Sequence, residues 1–393
     1  MTVSTPAFAE LAGTGDGRDI TRPWISELEQ PRDPRLAHST DWGVYDTIRK
    51  DDRVKAVMEQ RVRAVVAQDW DVLPGDDTDP RSIAAATAMK AQLARIGLDR
   101  VTEKLLWARL YGIQIAELIW GPTDGPLNGL IGWTRVRVRH ARRFRFDRNG
   151  RLRLLTRAAP GGIVMPDRHF WVVRSGATHD DEVYGEGLAD WLYWPCFFKR
   201  NGIRFWNIFL DKFGSPPARL TYAKGITKAQ VKDAMALLRA LSTDSGIAIP
   251  EGIAVDLLQA ARSGTADYRE MIAVMNAAIT TIILSQTMTT EDGSSMSQAK
   301  VHAGVKSEIV KADADLLSES FNDGPARWWT DLNFETDVAA PRLLRLLDEP
   351  ADLKLIAETD EILARTGWVR TEESFRDVYG DGYERIASTD VGG

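Results

Sequence analysis

The chain has 393 residues, 44% hydrophobic and 27% charged, with a net charge of −6. At roughly 150 residues per domain this predicts two or three domains, or one elongated chain, and the composition excludes a disordered one. A single cysteine, Cys196, excludes an internal disulfide framework and a cysteine-based zinc site, and the acidic balance excludes a global DNA neutraliser.

Residues 1–40 carry Gly13, Gly15, Gly17, Pro23, Pro31 and Pro34 without periodicity, which predicts a flexible arm that orders only against a partner. The first twenty residues lack a basic n-region and an apolar h-region, so no secretory signal is expected. Order is expected from Asp51. Val54, Val57, Met58, Val62, Val65 and Val66 then fall on one helical stripe, and Trp70, Val72 and Leu73 read as extended. A helix from Arg81 to Ile96 should stop at Gly97, another from Val101 to Tyr111 at Gly112, and Ile113 to Trp120 reads as a strand.

Between Arg135 and Arg157 stand ten arginines and one acid, Asp147. Arg135, Arg137, Arg139, Arg143 and Arg145 alternate with apolar residues, and 147–150 reads as a turn. The pattern predicts one hairpin or meander with an apolar and a basic face. His169 to Arg174 is a further strand, followed by the polar turn 179–182. Nine aromatics crowd Trp191 to Phe213 at helical spacings, ended by Gly214-Ser215-Pro216-Pro217. A small α/β insert follows: strand 218–222, helix 227–241, strands 246–249 and 253–257. A helix at 267–285, a polar turn at 289–295 and a long helix from Ser297 to Phe321 come next. Asn322, Gly324 and Pro325 should break that helix, and 350–387 reads as short helices divided at Gly367. The apolar stretch 272–284 is too short and too polar to span a bilayer, so a soluble, intracellular chain is expected. Thirteen tryptophans predict large buried or interfacial anchors.

Enzyme chemistry finds little purchase. No P-loop pattern occurs, and Gly13–Gly17 neither follows a strand nor opens a helix. The five histidines form no H-x-x-x-H pair. His179, Asp180, Asp181 and Glu182 have the atoms of a cation site, but adjacent side chains diverge and a charged turn is the commoner outcome. Cys196, between Pro195 and Phe197, reads as a buried hydrophobe. No catalytic residue, metal site or cofactor is predicted. Two features stay open: the arginines are either a phosphate-binding row or a solvated or subunit-facing surface, and the aromatic helix is either a base-stacking platform or a packing face. Helical spacing favours packing.

Five blocks, in order, resemble the Mu-like family of viral portal proteins. They are Asp51-Asp52-Arg53-Val54 through Arg61-Val62-Arg63 to Trp70-Asp71-Val72; Tyr111-Gly112 into Glu117-Leu118-Ile119-Trp120; Arg142 to Asp147 with Gly150 to Leu155; Tyr184-Gly185-Glu186-Gly187-Leu188 through Tyr193-Trp194 and Phe198-Lys199 to Phe213-Gly214-Ser215-Pro216; and Gln286 to Thr290 with Ala299 to His302, closing at Leu332-Asn333-Phe334.

The resemblance implies an α+β portal-type subunit: an arm at 1–40, an α/β wing at 41–185, stem helices at 186–214 and 263–286, and a clip insert at 215–262. A tunnel loop at 287–296, a long helix at 297–332 and a helical tail at 333–393 without a large crown complete it. It further implies a non-enzymatic ring, usually of twelve subunits, in the virion at the capsid vertex, assembled in the host bacterial cytoplasm. Its partners would be double-stranded DNA in the channel, terminase large subunit, a head–tail adaptor and the major capsid or scaffold protein. The DNA-facing residues would be Thr289, Thr290, Glu291, Asp292, Gly293 and Ser294. They include no basic side chain, as suits a wall along which DNA slides. The rival expectations are a DNA-binding module built on Arg135–Arg157, or an enzyme with an unrecognised site.

Overall fold

The structure, a computed structural model, describes residues 42–147, 149–180, 182–214, 218–222, 225, 227–240, 253–257, 268–286, 296–347 and 353–380. Order starts earlier than Asp51: helix α1 spans Trp42–Arg49 and buries Tyr45 and Ile48. Helix α2 (Asp52–Val66) begins where the Asp51 carboxylate accepts from the N–H groups of Arg53 and Val54, satisfying two orphan donors of the first turn. Its stripe of Val54, Val57, Met58, Val62 and Val65 is buried as the spacing predicts.

Strand β1 (Trp70–Leu73) leads to α3 (Pro80–Ile96), which is capped by Asp79 and ended by Gly97 at φ 69°. The helix expected over 101–111 is two helices, α4 (Leu98–Leu105) and α5 (Ala108–Tyr111). Gly97, in the left-handed conformation, turns the chain directly into α4, so helix resumes three residues sooner than expected.

Strands β2 (Ile113–Pro122) and β3 (Ile131–Arg139) follow, then β4 (Phe144–Phe146), β5 (Leu152–Leu154), β6 (Ile163–Val164) and β7 (Phe170–Arg174). They form two antiparallel sheets, β3–β2–β7 and β4–β5–β6. The single arginine hairpin expected over 135–157 is therefore corrected. Its first half pairs with β2, and only Phe144–Leu154 makes a hairpin. Alternation reports which side chains share a face and says nothing of which strand lies alongside.

The stalk is α6 (Ala189–Gly214), 26 residues or roughly 39 Å long, packed along α8 (Tyr268–Leu284). Between them lie β8 (Ala218–Tyr222), α7 (Lys228–Ala240) and β9 (Ile253–Leu257), with β8 and β9 antiparallel. The strand expected at 246–249 lies outside the described residues. Helix α9 (Met296–Phe321) is not broken at Asn322. The chain passes through a π-helical turn, Asn322–Ala326, and continues as α10 (Arg327–Asn333), because the wider turn accommodates Pro325, which has no N–H to donate. The tail is not purely helical: β10 (Arg342–Arg345) returns to pair with β1 before α11 (Leu353–Arg365) and α12 (Glu372–Tyr379).

Two cores sandwich the β3–β2–β7 sheet. On one face Ala116, Leu118, Trp133, Trp171 and Val173 pack with α3, α4, α9 and α10. Phe321 of α9 stands edge-on to both Trp133 and Trp171, at 5.8 and 5.3 Å between ring centroids. On the other face Ile113 and Ile115 join α2, the second sheet, and the near ends of α6 and α8. The body thus grips the stalk through a continuous apolar core.

Candidate functional site

The foot of the stalk is held by α2. Arg53 donates through Nε to Thr280 Oγ1 on α8 at 2.8 Å. Arg61 donates through Nη1 to the Ile283 carbonyl at 2.6 Å, one of the orphan carbonyls at the end of α8. Its remaining nitrogens hold Asp313 of α9: Nε to Oδ2 at 2.6 Å and Nη2 to Oδ1 at 2.8 Å. Arg109 Nε reaches Asp313 Oδ1 from the other side at 2.6 Å. The Asp313 side chain is 1% exposed, so the two guanidinia neutralise a charge that burial alone would make very costly. Arg61 thereby joins the helix entering the 287–295 segment to the helix leaving it.

Lys199 fixes α6 to the same helix. It is buried, and its ammonium bonds Asp51 at 3.1 Å and also Asp52. The hydrogen bond from Lys199 holds the Asp52 carboxyl below its ordinary value. Cys196, one turn earlier, is buried against the body, and burial, then the Asp51 charge, pushes its thiol up to about 12. It is a packed thiol with no thiolate character.

Two blocks noted in the sequence meet here. Gly112 is at φ 83°, where a non-glycine would be strained, and a Cβ on Gly187 would lie 2.1 Å from the Leu110 carbonyl oxygen. Gly187 therefore lets the lead into α6 touch the α5–β2 backbone. The Leu188 N–H donates to the Arg109 carbonyl and the Ser175 N–H to the Gly112 carbonyl, both at 2.8 Å.

The far face of α6 has no such partner among the described residues. Trp191, Trp194, Phe198 and Phe205 are 53%, 56%, 49% and 58% exposed. Trp194 stacks on Phe198 at 5.8 Å between ring centroids, and Phe197 stands edge-on to both at 5.9 and 5.7 Å. Where the spacing predicts a packing face, the described residues leave these rings half-exposed. By contrast Trp133, Trp171 and Trp329 are buried anchors.

The five arginines do not form one row. Arg135 and Arg137 are exposed on β3, and Arg139 is half-buried, with its Nε 2.7 Å from Glu117 Oε2. Arg143 is exposed at the end of a 3-10 turn. Arg145 is buried, its Nη1 donating to the Phe144 carbonyl at 2.7 Å, and burial lowers its pKa. Arg151 and Arg153 turn inward to Asp147 at 3.0 and 3.1 Å. Burial pushes the Asp147 carboxyl up, but the Arg151 N–H, the Arg153 guanidinium and the other donors prevail and hold it below its ordinary value. The expected loop residues Thr289 to Ser294 lie outside the described residues, as does Asp181. Of the rest of the 179–182 segment, the Glu182 N–H donates to the His179 carbonyl at 3.1 Å, a turn. Among the described residues no group of three or more metal-ligating side chains gathers, and no helix is long and apolar enough to cross a membrane.

Arg61, Arg109, Asp313 and Lys199 were not legible as a cluster. Arg61 and Asp313 stand 252 positions apart, and the only signal was that Arg61 and Lys199 fall inside the resembling blocks.

A family model described as the portal protein of Mu bacteriophage matches residues 42–381. The portal protein of Escherichia phage Mu is 27% identical over 290 residues, 71% of this chain and 54% of that protein. The Mu-like prophage FluMu protein gp29 of Haemophilus influenzae is 26% identical over 280 residues, 70% of this chain and 53% of that protein. The chain thus spans about half the length of these relatives. Among solved structures, a chain of the neck of an empty gene transfer agent particle, computed with C6 symmetry, superposes with a TM-score of 0.57 at 13% identity. It covers 86% of this chain and 92% of that one. The neck of the native particle, computed with C12 symmetry, gives 0.52 at 14% identity, covering 89% of this chain and 94% of that one. The fold is of that type.

Proposed function

The chain belongs to the family of the Mu bacteriophage portal protein, and on that premise we propose that it is the repeating subunit of a closed ring at a capsid vertex. The ring would be the channel for packaging and ejecting double-stranded DNA. The observation that carries this reading is the aromatic face of α6, left half-exposed on a helix whose foot is firmly held. A large apolar stripe on a soluble subunit marks an interface, and a heterologous interface repeated by rotation closes into a ring.

In this reading residues 41–185 are the wing, 186–214 and 263–286 the stem, 215–262 the clip, 297–332 the long helix, and 333–393 a tail that returns to the wing. The role is structural and the location the virion, after assembly in the host cytoplasm. Terminase large subunit and a head–tail adaptor dock on the ring in turn, and the major capsid or scaffold protein surrounds it. The segment 287–296 lines the bore. It joins α8 to α9 and carries Glu291 and Asp292 with no lysine or arginine, so it offers a sliding duplex no phosphate contact.

The test replaces Glu291 and Asp292 by lysine, a change of four charge units per subunit, and follows DNA packaging in particles built with the variant. Assembly should be unchanged, and packaging should slow at low salt and recover as salt rises. Normal packaging at low salt would show that the segment does not meet DNA.

A further inference from the structure

Between α1, α4, α5 and the turn after β3 lies a cavity of about 470 Å³. Trp107 and Tyr111 give it aromatic walls, and Arg49, Lys104, Arg139 and Arg142 surround it with cations. Among the described residues Asp46 is the one carboxylate in its lining, and Glu117, outside the lining, bonds Arg139. On a chain of net charge −6 this is a local reversal of sign. It continues along β3, an edge strand of its sheet, where Arg135 and Arg137 are exposed.

We propose that this cavity and the adjoining edge of β3 form a docking site for an extended acidic segment of a partner protein. An edge strand offers its outer backbone to an incoming strand, and arginines along it repel a second copy of the same edge while favouring an acidic one. The cavity lies within the size range that encloses a few side chains, so an apolar residue flanked by carboxylates would sit against Trp107 and Tyr111 with its neighbours on the cations. Burial first, then the Arg142 charge, holds the His140 imidazole below its ordinary value, with Asp46 opposing and Arg49 adding to the effect.

A nucleic-acid strand fits less well. Duplex DNA is too broad to enter, and a phosphate track needs cations that continue beyond the cavity. Here the track stops, because Arg145 is buried and Arg151 and Arg153 are committed to Asp147. The site is independent of whether the chain forms a ring.

The test uses the full chain in whatever assembly it adopts, with assembly read separately by light scattering. The probe is a short fluorescein-labelled peptide in which glutamates alternate with leucine and phenylalanine; controls are its glutamine analogue, labelled oligothymidine and a labelled duplex. The acidic peptide should bind by fluorescence anisotropy and the glutamine analogue should not. Lys104→Glu with Arg142→Glu should weaken binding by about tenfold or more, while Arg365→Glu on α11 should leave it within about twofold. Both altered residues are exposed, and Lys104→Gln with Arg142→Gln, expected to show a smaller loss in the same direction, guards against a folding defect. Failure of the acidic peptide to bind, or binding indifferent to these variants, overturns the proposal. Oligothymidine or duplex binding that is stronger than the peptide's and is lost in the same variants overturns it in favour of a phosphate site.

Discussion

At the foot of the stalk, Asp313, Lys199 and Arg61 are enclosed by protein and each meets an opposite charge at hydrogen-bonding distance. Along the outer face of α6, a turn or two away, aromatic rings half open to solvent pack against one another, Trp194 stacked on Phe198. Both regions include residues of α6, Lys199 in the one and Trp194 and Phe198 in the other, so the difference is not one of local propensity. The foot is finished by the chain that makes it, through contacts spanning more than two hundred residues. The outer face is apolar enough to be a core, and the described residues leave it half-exposed. If the proposed ring closes through this face, stability of the subunit and stability of the assembly rest on different residues and are separable by mutation.

The sharpest way to break that distinction is at Asp313. Asp313→Ala leaves two guanidinia facing each other without their shared carboxylate. The expected loss is about 3–5 kcal/mol of subunit stability, read as a lower midpoint in chemical denaturation. A loss below about 1 kcal/mol would mean that the cluster does not hold the foot. At the outer face the pattern should invert. Trp194→Ala or Phe205→Ala should move the subunit's denaturation midpoint little and cost about 2 kcal/mol or more of association, seen as dissociation in sedimentation velocity. Destabilisation of the dissociated subunit by that amount would place these rings inside the subunit core instead.

Gly187→Ala sharpens the account of how the stalk enters the body. The new methyl meets main-chain atoms that cannot rotate away, so a loss of about 1–3 kcal/mol is expected by thermal or chemical unfolding, against near-neutrality at the open Gly161. The smallest effect is electrostatic. Because the folded Asp147 carboxyl titrates below its ordinary value of 3.8, the stability it supplies is fully present above that value. It disappears as pH falls through the depressed folded pKa. Asp147→Asn should cost about 1–2 kcal/mol at neutral pH and progressively less below pH 4, measured as the difference in stability between variant and parent across a pH series.

What was legible from sequence was what nearest neighbours determine. The α2 stripe, the stop at Gly97, the closed hairpin from Phe144 to Leu154 and the two helices on either side of Gly367 all follow from periods and turn residues. What was not legible was the partner across space. β10 gives no local hint that it pairs with β1, and Val136 and Val138 would alternate with arginines whichever strand lay beside them. The π-helical turn leaves no mark in the sequence, because Pro325 reads as a helix breaker unless the turn around it widens. The aromatic spacing on α6 predicts a packing face, but periodicity carries no information on what covers it, and among the described residues the rings stay half-exposed.

The most direct test of the central claim is the mass of the purified full chain by native mass spectrometry, alongside Trp194→Ala. The account predicts a single closed assembly at an integer multiple of 43.8 kDa, which the variant shifts towards smaller species while its subunits stay folded. A parent chain that remains at 43.8 kDa across protein concentration and salt would contradict it.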